Sequence, residues 1–196
     1  MPRTGRRPGN QDTREAILSS ARKAFSEKGF DGASIRSIAT GAGVDPALVH
    51  HYFGTKDQLF TATLELPVDV VKVMTGLAAD GLDGFGERLV RTILGVWDSP
   101  AGSAAAALVR SAVAHEWTAR LMREFLLTQI LRRVLGSFDI DPAEAPTRAN
   151  LVASQMIGLL LMRYIIKLEP LAHMDPEDVA RMVGPTIQRY LTEPLK

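Results

Sequence analysis

Residues 34–53 read SIRSIATGAGVDPALVHHYF, and this stretch decides the fold. Ser34 suits a helix start, since its hydroxyl accepts from the free amides of a first turn. Ile35, Ile38, Ala39 and Ala42 recur at helical spacing and define one apolar face. Gly41 and Gly43 are expected to end this helix, because glycine adopts positive φ at little cost. Asp45-Pro46 opens a second helix, with aspartate at the cap and proline at the first helical position. Leu48, Val49, Tyr52 and Phe53 give it a buried side. Two short helices around a tight glycine turn make a helix-turn-helix, whose second helix enters a DNA major groove. A plain helical hairpin shares the spacing, so residue identity has to decide.

Those residues resemble the N-terminal domain of the TetR family of bacterial transcriptional regulators. The resemblance runs over residues 11–60, through Ile38-Ala39, Ala42-Gly43-Val44, Val49-His50-His51-Tyr52-Phe53, Lys56 and Leu59. Upstream, Arg14, Ile17, Ala21, Phe25 and Gly29 fall where the family has its first helix. Beyond residue 60 the likeness is general. It implies an all-α chain with an N-terminal three-helix helix-turn-helix head and a larger helical body for ligand binding and dimerisation. The implied function is a repressor, released from a palindromic DNA operator by a small-molecule effector; the alternative is a dimeric DNA-binding or scaffold protein without such an effector. The implied DNA-contacting residues are Ser34, Arg36, Asp45, Pro46, Ala47, His50, His51, Tyr52, Thr55 and Lys56. Pro46 and Ala47 have no side-chain hydrogen-bonding group, so base reading falls to Asp45, His50, His51 and Arg36. Ala47 is left to touch a thymine methyl. One departure stands out: where the family has a phosphate-touching tyrosine, this chain has His50, and neutral imidazole donates more weakly.

Composition bounds the reading. The chain has 196 residues, 46% of them hydrophobic, enough for a core. Net charge is +1, unevenly placed. Residues 1–56 hold nine Lys/Arg against five Asp/Glu, and residues 57–196 hold fourteen against seventeen. The basic excess therefore lies in the N-terminal third, where a phosphate-binding surface is needed. With no cysteine, disulfides and thiolate metal sites are excluded, which fits a reducing, cytoplasmic compartment. Residues 1–9, MPRTGRRPG, are basic and polar rather than a secretion leader.

The expected organisation is a flexible basic arm (1–11), a helix-turn-helix domain (12–54) and an effector-binding and dimerisation domain (55–196). Arg6 and Arg7 in the arm are candidates to follow a DNA backbone or enter the minor groove, the alternative being a solvated terminus. A first helix is expected over about 13–28, with Asp12 and Glu15 as a capping box and Gly29 closing it. Thr55 and Gln58 make a second capping box. Lys56 follows in a first turn, where the helix dipole disfavours a cation unless a phosphate is present. Pro67 should break the next pattern. Helical patterns then cover about 83–97, 100–114, 115–136, 147–168 and 176–192, the last capped by Asp175 and kinked at Gly184-Pro185. The lining expected for the effector is Trp97, Trp117, Met122 and Phe125, with Arg120 and Arg163 suited to an anionic ligand.

Residues 156–166 lack a polar face. Arg163 interrupts the run, and Arg148, Asn150 and Gln155 precede it, so a membrane span is rejected. A helix apolar all round must be covered on both sides. The family resemblance implies that the partner is a second copy, through Ile157, Gly158, Leu160, Leu161, Met182 and Ile187; the alternative is two ordinary core helices of a monomer. Enzymatic readings fail. His115-Glu116 would need a second histidine at 119 for a zinc-protease motif, and that residue is alanine. Adjacent His50 and His51 point about 100° apart on a helix and do not chelate one ion. Residues 80–87 lack the alternating oxygens of a calcium loop. Gly41-Ala-Gly43 lacks the rest of a dinucleotide site, and no serine-nucleophile motif occurs. No metal or cofactor is expected.

Overall fold

The computed structural model describes residues 10–66, 68–131 and 134–195. The expected arm, with Arg6 and Arg7, lies outside them, and so does Pro67. Among the described residues the regular structure is all helical, with no strand. The helices are α1 (Asn10–Gly32), α2 (Ile35–Ala42), α3 (Pro46–Phe53), α4 (Lys56–Thr63), α5 (Val70–Ala79), α6 (Phe85–Asp98), α7 (Gly102–Ala114), α8 (Glu116–Phe125), α9 (Ala145–Leu160) and α10 (Pro176–Thr192). Wide π-helical turns extend α8 over Leu126–Leu131 and α9 over Leu161–Ile166. By packing, the chain divides into two units: Met1–Glu65 with Ala112–Phe125, and Leu66–Ser111 with Leu126–Lys196.

In the first unit, α2, α4 and α8 all pack on α1. Ile17, Ala21, Ile38, Ala39, Leu59 and Phe60 are fully buried. Phe25 meets Phe60 edge-on at 4.9 Å between ring centroids, and Phe30 lies 5.3 Å from Phe60. Arg22 fastens α1 to the end of α4, donating to Glu15 at 2.8 Å, to Glu65 at 2.6 Å and to the Thr63 carbonyl at 3.3 Å. By packing the unit therefore runs past residue 54, because α4 supplies two of its most buried side chains. Residues 112–125, assigned from sequence to the body, also belong to it: Leu121 and Phe125 are buried.

Two details of α1 and α2 differ from expectation. Helix α1 begins at Asn10, so Asp12 lies inside its first turn and not at a cap; Gly29, at φ 70°, breaks the helix where expected. Gly41 lies within α2 and does not end it. A Cβ there would come 2.5 Å from Ser20 Oγ, which donates to the Ile38 carbonyl at 2.8 Å. Gly41 is thus where α1 and α2 touch, and only Gly43, at φ 67°, makes the turn.

In the second unit, α6 and α10 form the principal helix pair. Buried Phe85, Leu89, Val90, Leu94, Val179, Ala180, Ile187 and Leu191 fill the space around them. At one edge Arg91 grips Glu177 with two hydrogen bonds of 2.7 and 2.6 Å, holding its carboxyl below the usual range. Asp175 caps α10 by accepting from the Glu177 amide at 2.8 Å. Ala145–Ile166 is long and apolar enough to cross a membrane by length and composition alone. Its two arginines are buried and bound within the unit. Arg148 donates to the carbonyls of Tyr190 (2.6 Å) and Glu193 (2.9 Å) and to Glu144. Arg163 donates to the carbonyls of Leu171 (2.7 Å) and Met174 (2.8 Å).

Candidate nucleic-acid interface

Among the described residues, the helices that carry the expected DNA-contacting side chains start at local caps that the sequence encodes. Ser34 Oγ accepts from the Ser37 amide at 3.1 Å, and Ser37 Oγ accepts from the Ser34 amide at 3.3 Å. This capping box starts α2 and leaves Arg36 exposed in its first turn. Gly43 turns the chain, with the Val44 amide donating back to the Ala39 carbonyl at 3.0 Å. Asp45 Oδ1 then accepts from the Ala47 amide at 2.7 Å and caps α3 behind Pro46. Val49 and Phe53 anchor α3 to the core. With that side fixed, Pro46, Ala47, His50 and His51 occupy the opposite, exposed face. Tyr52 is half-buried, 5.6 Å from the His51 ring.

The second capping box forms as expected. Thr55 Oγ1 accepts from the Gln58 amide at 3.2 Å, and Gln58 Oε1 accepts from the Thr55 amide at 2.9 Å. This places Lys56 at the positive end of α4. Its ammonium lies 4.5 Å from the centroid of the Phe30 ring. The ring's negative face offsets the dipole's repulsion by roughly 0.5–1 kcal/mol. Lys56 is therefore positioned by packing on Phe30, which the sequence did not reveal.

A further residue missed from sequence is Glu124. From α8 it accepts the Phe30 amide at 2.9 Å, just past the break at Gly29. Arg120, on the same face, donates to the Ser26 carbonyl at 2.9 Å. The path from α8 to Lys56 thus has two links, Glu124 to the Phe30 backbone and the Phe30 ring to the ammonium. No sequence signal pairs residues 94 positions apart.

The expected effector-lining residues are not gathered in one unit. Trp117, Met122 and Phe125 lie on α8 in the first unit, where Phe125 is core and Trp117 is 47% exposed. Trp97 lies in the second unit, its ring 5.1 Å from Tyr164. The Tyr164 phenol donates to Asp98 at 2.9 Å, and burial together with that bond pushes it up to about 12. The guanidinium groups of Arg120 and Arg163 both donate to protein carbonyls.

The expected interface set divides too. Ile157 and Met182 are 47% and 67% exposed, and Gly158 and Leu161 are intermediate. Leu160 and Ile187 are buried within the unit itself, at 8% and 0% exposure. Those two are core residues and have no surface to offer a partner. Beside the exposed set, a groove of about 250 Å³ is lined by residues including Gly158, Met162, Leu171 and Val183.

Comparison with known proteins agrees with this architecture. A family described as "Bacterial regulatory proteins, tetR family" matches residues 17–63. A second, "Tetracyclin repressor-like, C-terminal domain", matches residues 83–191, more than half of the chain. A TetR-family regulator of known structure from Streptomyces coelicolor A3 is 42% identical, aligned over 97% of this chain and 100% of that one, with a TM-score of 0.48. HTH-type transcriptional regulator BetI of Rhizobium meliloti (strain 1021) is 41% identical over 64 residues, 33% of this chain and 30% of that protein. HTH-type transcriptional repressor NicS of Pseudomonas putida is 42% identical over 64 residues, 32% of this chain and 30% of that protein. The chain thus spans about a third of the length of these curated relatives. The matched domains and relatives are transcriptional regulators, not enzymes. With its head and the greater part of its remaining length matched, the chain belongs to the TetR family of bacterial regulatory proteins.

Proposed function

We propose that the chain is a cytoplasmic, homodimeric repressor that binds a palindromic DNA operator and leaves it when a small molecule binds residues 83–191. The observation that carries the DNA reading is the pair of capping boxes flanking α3. They fix an exposed helix face between two helix starts, each of which carries a cation, Arg36 or Lys56. Free amides and cations at both ends suit phosphates, and the face between them suits the major groove. The effector part rests on the matched C-terminal domain. Native mass spectrometry of the purified chain tests it, a co-purifying small molecule being the expected result. Selection of bound duplexes from a random pool tests DNA binding. A pool with no enriched sequence would overturn the reading.

Two substitutions refine it. Lys56→Met keeps the apolar stem over Phe30 while removing the charge. It should weaken binding to all sequences alike and flatten the salt dependence by about one unit per head. A changed sequence preference with the slope intact would remove the phosphate role. Arg36→Ala should relax preference at one base pair of each half-site, by about 1–3 kcal/mol. Repeating the selection with that variant reads this directly, and an identical logo would remove Arg36 from base reading.

A further inference from the structure

The exposed face of α3 consists of Pro46, Ala47, His50 and His51. Proline and alanine side chains make no hydrogen bonds, so the two imidazoles are the only hydrogen-bonding side chains on that face. His50 Nδ1 lies 2.8 Å from the Gly54 carbonyl oxygen. The Gly54 amide donates back to the His50 carbonyl at 2.8 Å. Residues 50 and 54 are thus bonded twice, and Gly54 holds its place with φ at 72°, where a side chain would also overlap Gln58.

A carbonyl oxygen only accepts, so Nδ1 carries the hydrogen of the neutral ring. Nε2 then holds a lone pair and no hydrogen. Neutral His50 therefore has nothing to donate to a phosphate oxygen or to guanine N7 and O6, all of which are acceptors. The imidazolium, with hydrogen on both nitrogens, does. Charged groups stand on the elements packed beside α3. Arg36 stands on α2, Lys56 and Asp57 on α4, and Arg14 reaches from α1 over the Phe53 ring at 5.3 Å. Asp45 is tied to the Ala47 amide at the start of α3. Imidazole is the side-chain class that changes charge between about pH 5 and 8, and the chain has four histidines: 50, 51, 115 and 173.

We infer that His50 contacts DNA as the imidazolium, through Nε2–H, so that a neutral ring takes up a proton from solvent on binding and returns it on release. The inference rests on the reading of α3 as the recognition helix. A phosphate beside the ring favours its charged form, so affinity falls as pH rises through the imidazole range.

The test uses the full chain and a fluorescein-labelled duplex enriched from a random pool at pH 6.5, with affinity measured from pH 6 to pH 8 at fixed salt. The wild type should bind about tenfold or more tightly at pH 6 than at pH 8. His50→Tyr, whose hydroxyl donates while neutral, should bind equally at both. His115→Gln and His173→Gln, which lie outside α3, should keep the wild-type dependence. Circular dichroism at each pH confirms that the fold is constant. A wild type with equal affinity at pH 6 and 8 overturns this inference and leaves DNA binding standing. So does a His50→Tyr variant that keeps the dependence. A chain that enriches no duplex at any pH overturns both readings together.

Discussion

Ile157→Glu combined with Met182→Glu should turn a dimer into a folded monomer that has lost most of its operator affinity. Both side chains are large, apolar and exposed, at 47% and 67%. Met162, Ile166 and Leu168 continue the apolar surface at 37%, 55% and 54% exposure. Large apolar side chains exposed together in this way suit an interaction surface. A second copy is the partner proposed, because a two-fold pair places two α3 helices on one duplex, one helical turn or a multiple apart, roughly 34–36 Å. Two glutamates on a surface covered by a second copy would be buried without partners, which is costly enough to dissociate it. In the monomer the same side chains stay in water and disturb nothing, so the helical circular dichroism should be unchanged. Operator affinity should fall by about 10²–10⁴-fold, the gain that a tethered second head provides. Sedimentation and an operator shift assay, run side by side, read both. Glutamate at Leu160 or Ile187 is a different experiment: those residues are core, and the expected result there is unfolding. A double variant that stays dimeric would move the interface elsewhere. A wild type that is monomeric at micromolar concentration yet binds a palindrome tightly would remove the dimer from the function.

The division of that apolar segment into core and surface is what the sequence did not reveal. Local chemistry was legible: Ser34, Asp45, Thr55 and Asp175 all cap the helices that their residue types announce. A cap is decided by atoms within three or four residues, so its signal is present in the sequence. Burial of a helix that is apolar all round depends on its neighbours, and periodicity gives no sign of which side they take. The π-helical turns add to this. Each winds the chain wider than an α-helix, so the register drifts after Leu160 and after Phe125. Leu160 falls on the core side and Ile157 does not, although the two are only three residues apart. For the same reason α8 reads as body: its stripe of Leu121 and Phe125 is a sound helix signal, but its partner, α1, lies far away in sequence. Of the expected DNA-contacting residues within the described chain, all lie on or beside α2, α3 and α4. The bond between His50 and Gly54 was not anticipated, since it depends on the conformation of Gly54 and not on its identity alone.

Two glycine-to-alanine changes in one helix, α6, should move stability in opposite directions. Gly95 is exposed, and a Cβ there meets nothing within 4 Å. Alanine loses less conformational freedom in a helix than glycine, so Gly95→Ala should add roughly 0.5–1 kcal/mol. Gly86 carries the same propensity gain but sits where α6 crosses α10. A Cβ at Gly86 would overlap the Gly184 carbonyl and stand 2.8 Å from the Gln188 nitrogen. In return, a Cβ at Gly184 would stand 2.7 Å from Glu87 Cα. Each helix thus brings a glycine to the crossing, and the atoms in the way are backbone, which no rotamer change moves aside. To admit one methyl, α6 and α10 must separate. That separation strains the bond from the Gly86 amide to Gln188 (3.0 Å) and loosens the packing of Phe85, Leu89 and Ile187. Overpacking costs about 1–3 kcal/mol when side chains can yield, and a backbone clash lies at the upper end or beyond. The clash therefore outweighs the propensity gain, and Gly86→Ala should lower the unfolding midpoint by about 10 °C. Gly95→Ala should raise it by about 2–4 °C. The chain has two tryptophans, and Trp97 alone lies in the second unit, so thermal melts followed by its fluorescence in a Trp117→Phe background isolate the effect. If Gly86→Ala melted at or above the parent temperature, the α6–α10 crossing could not be as close as described.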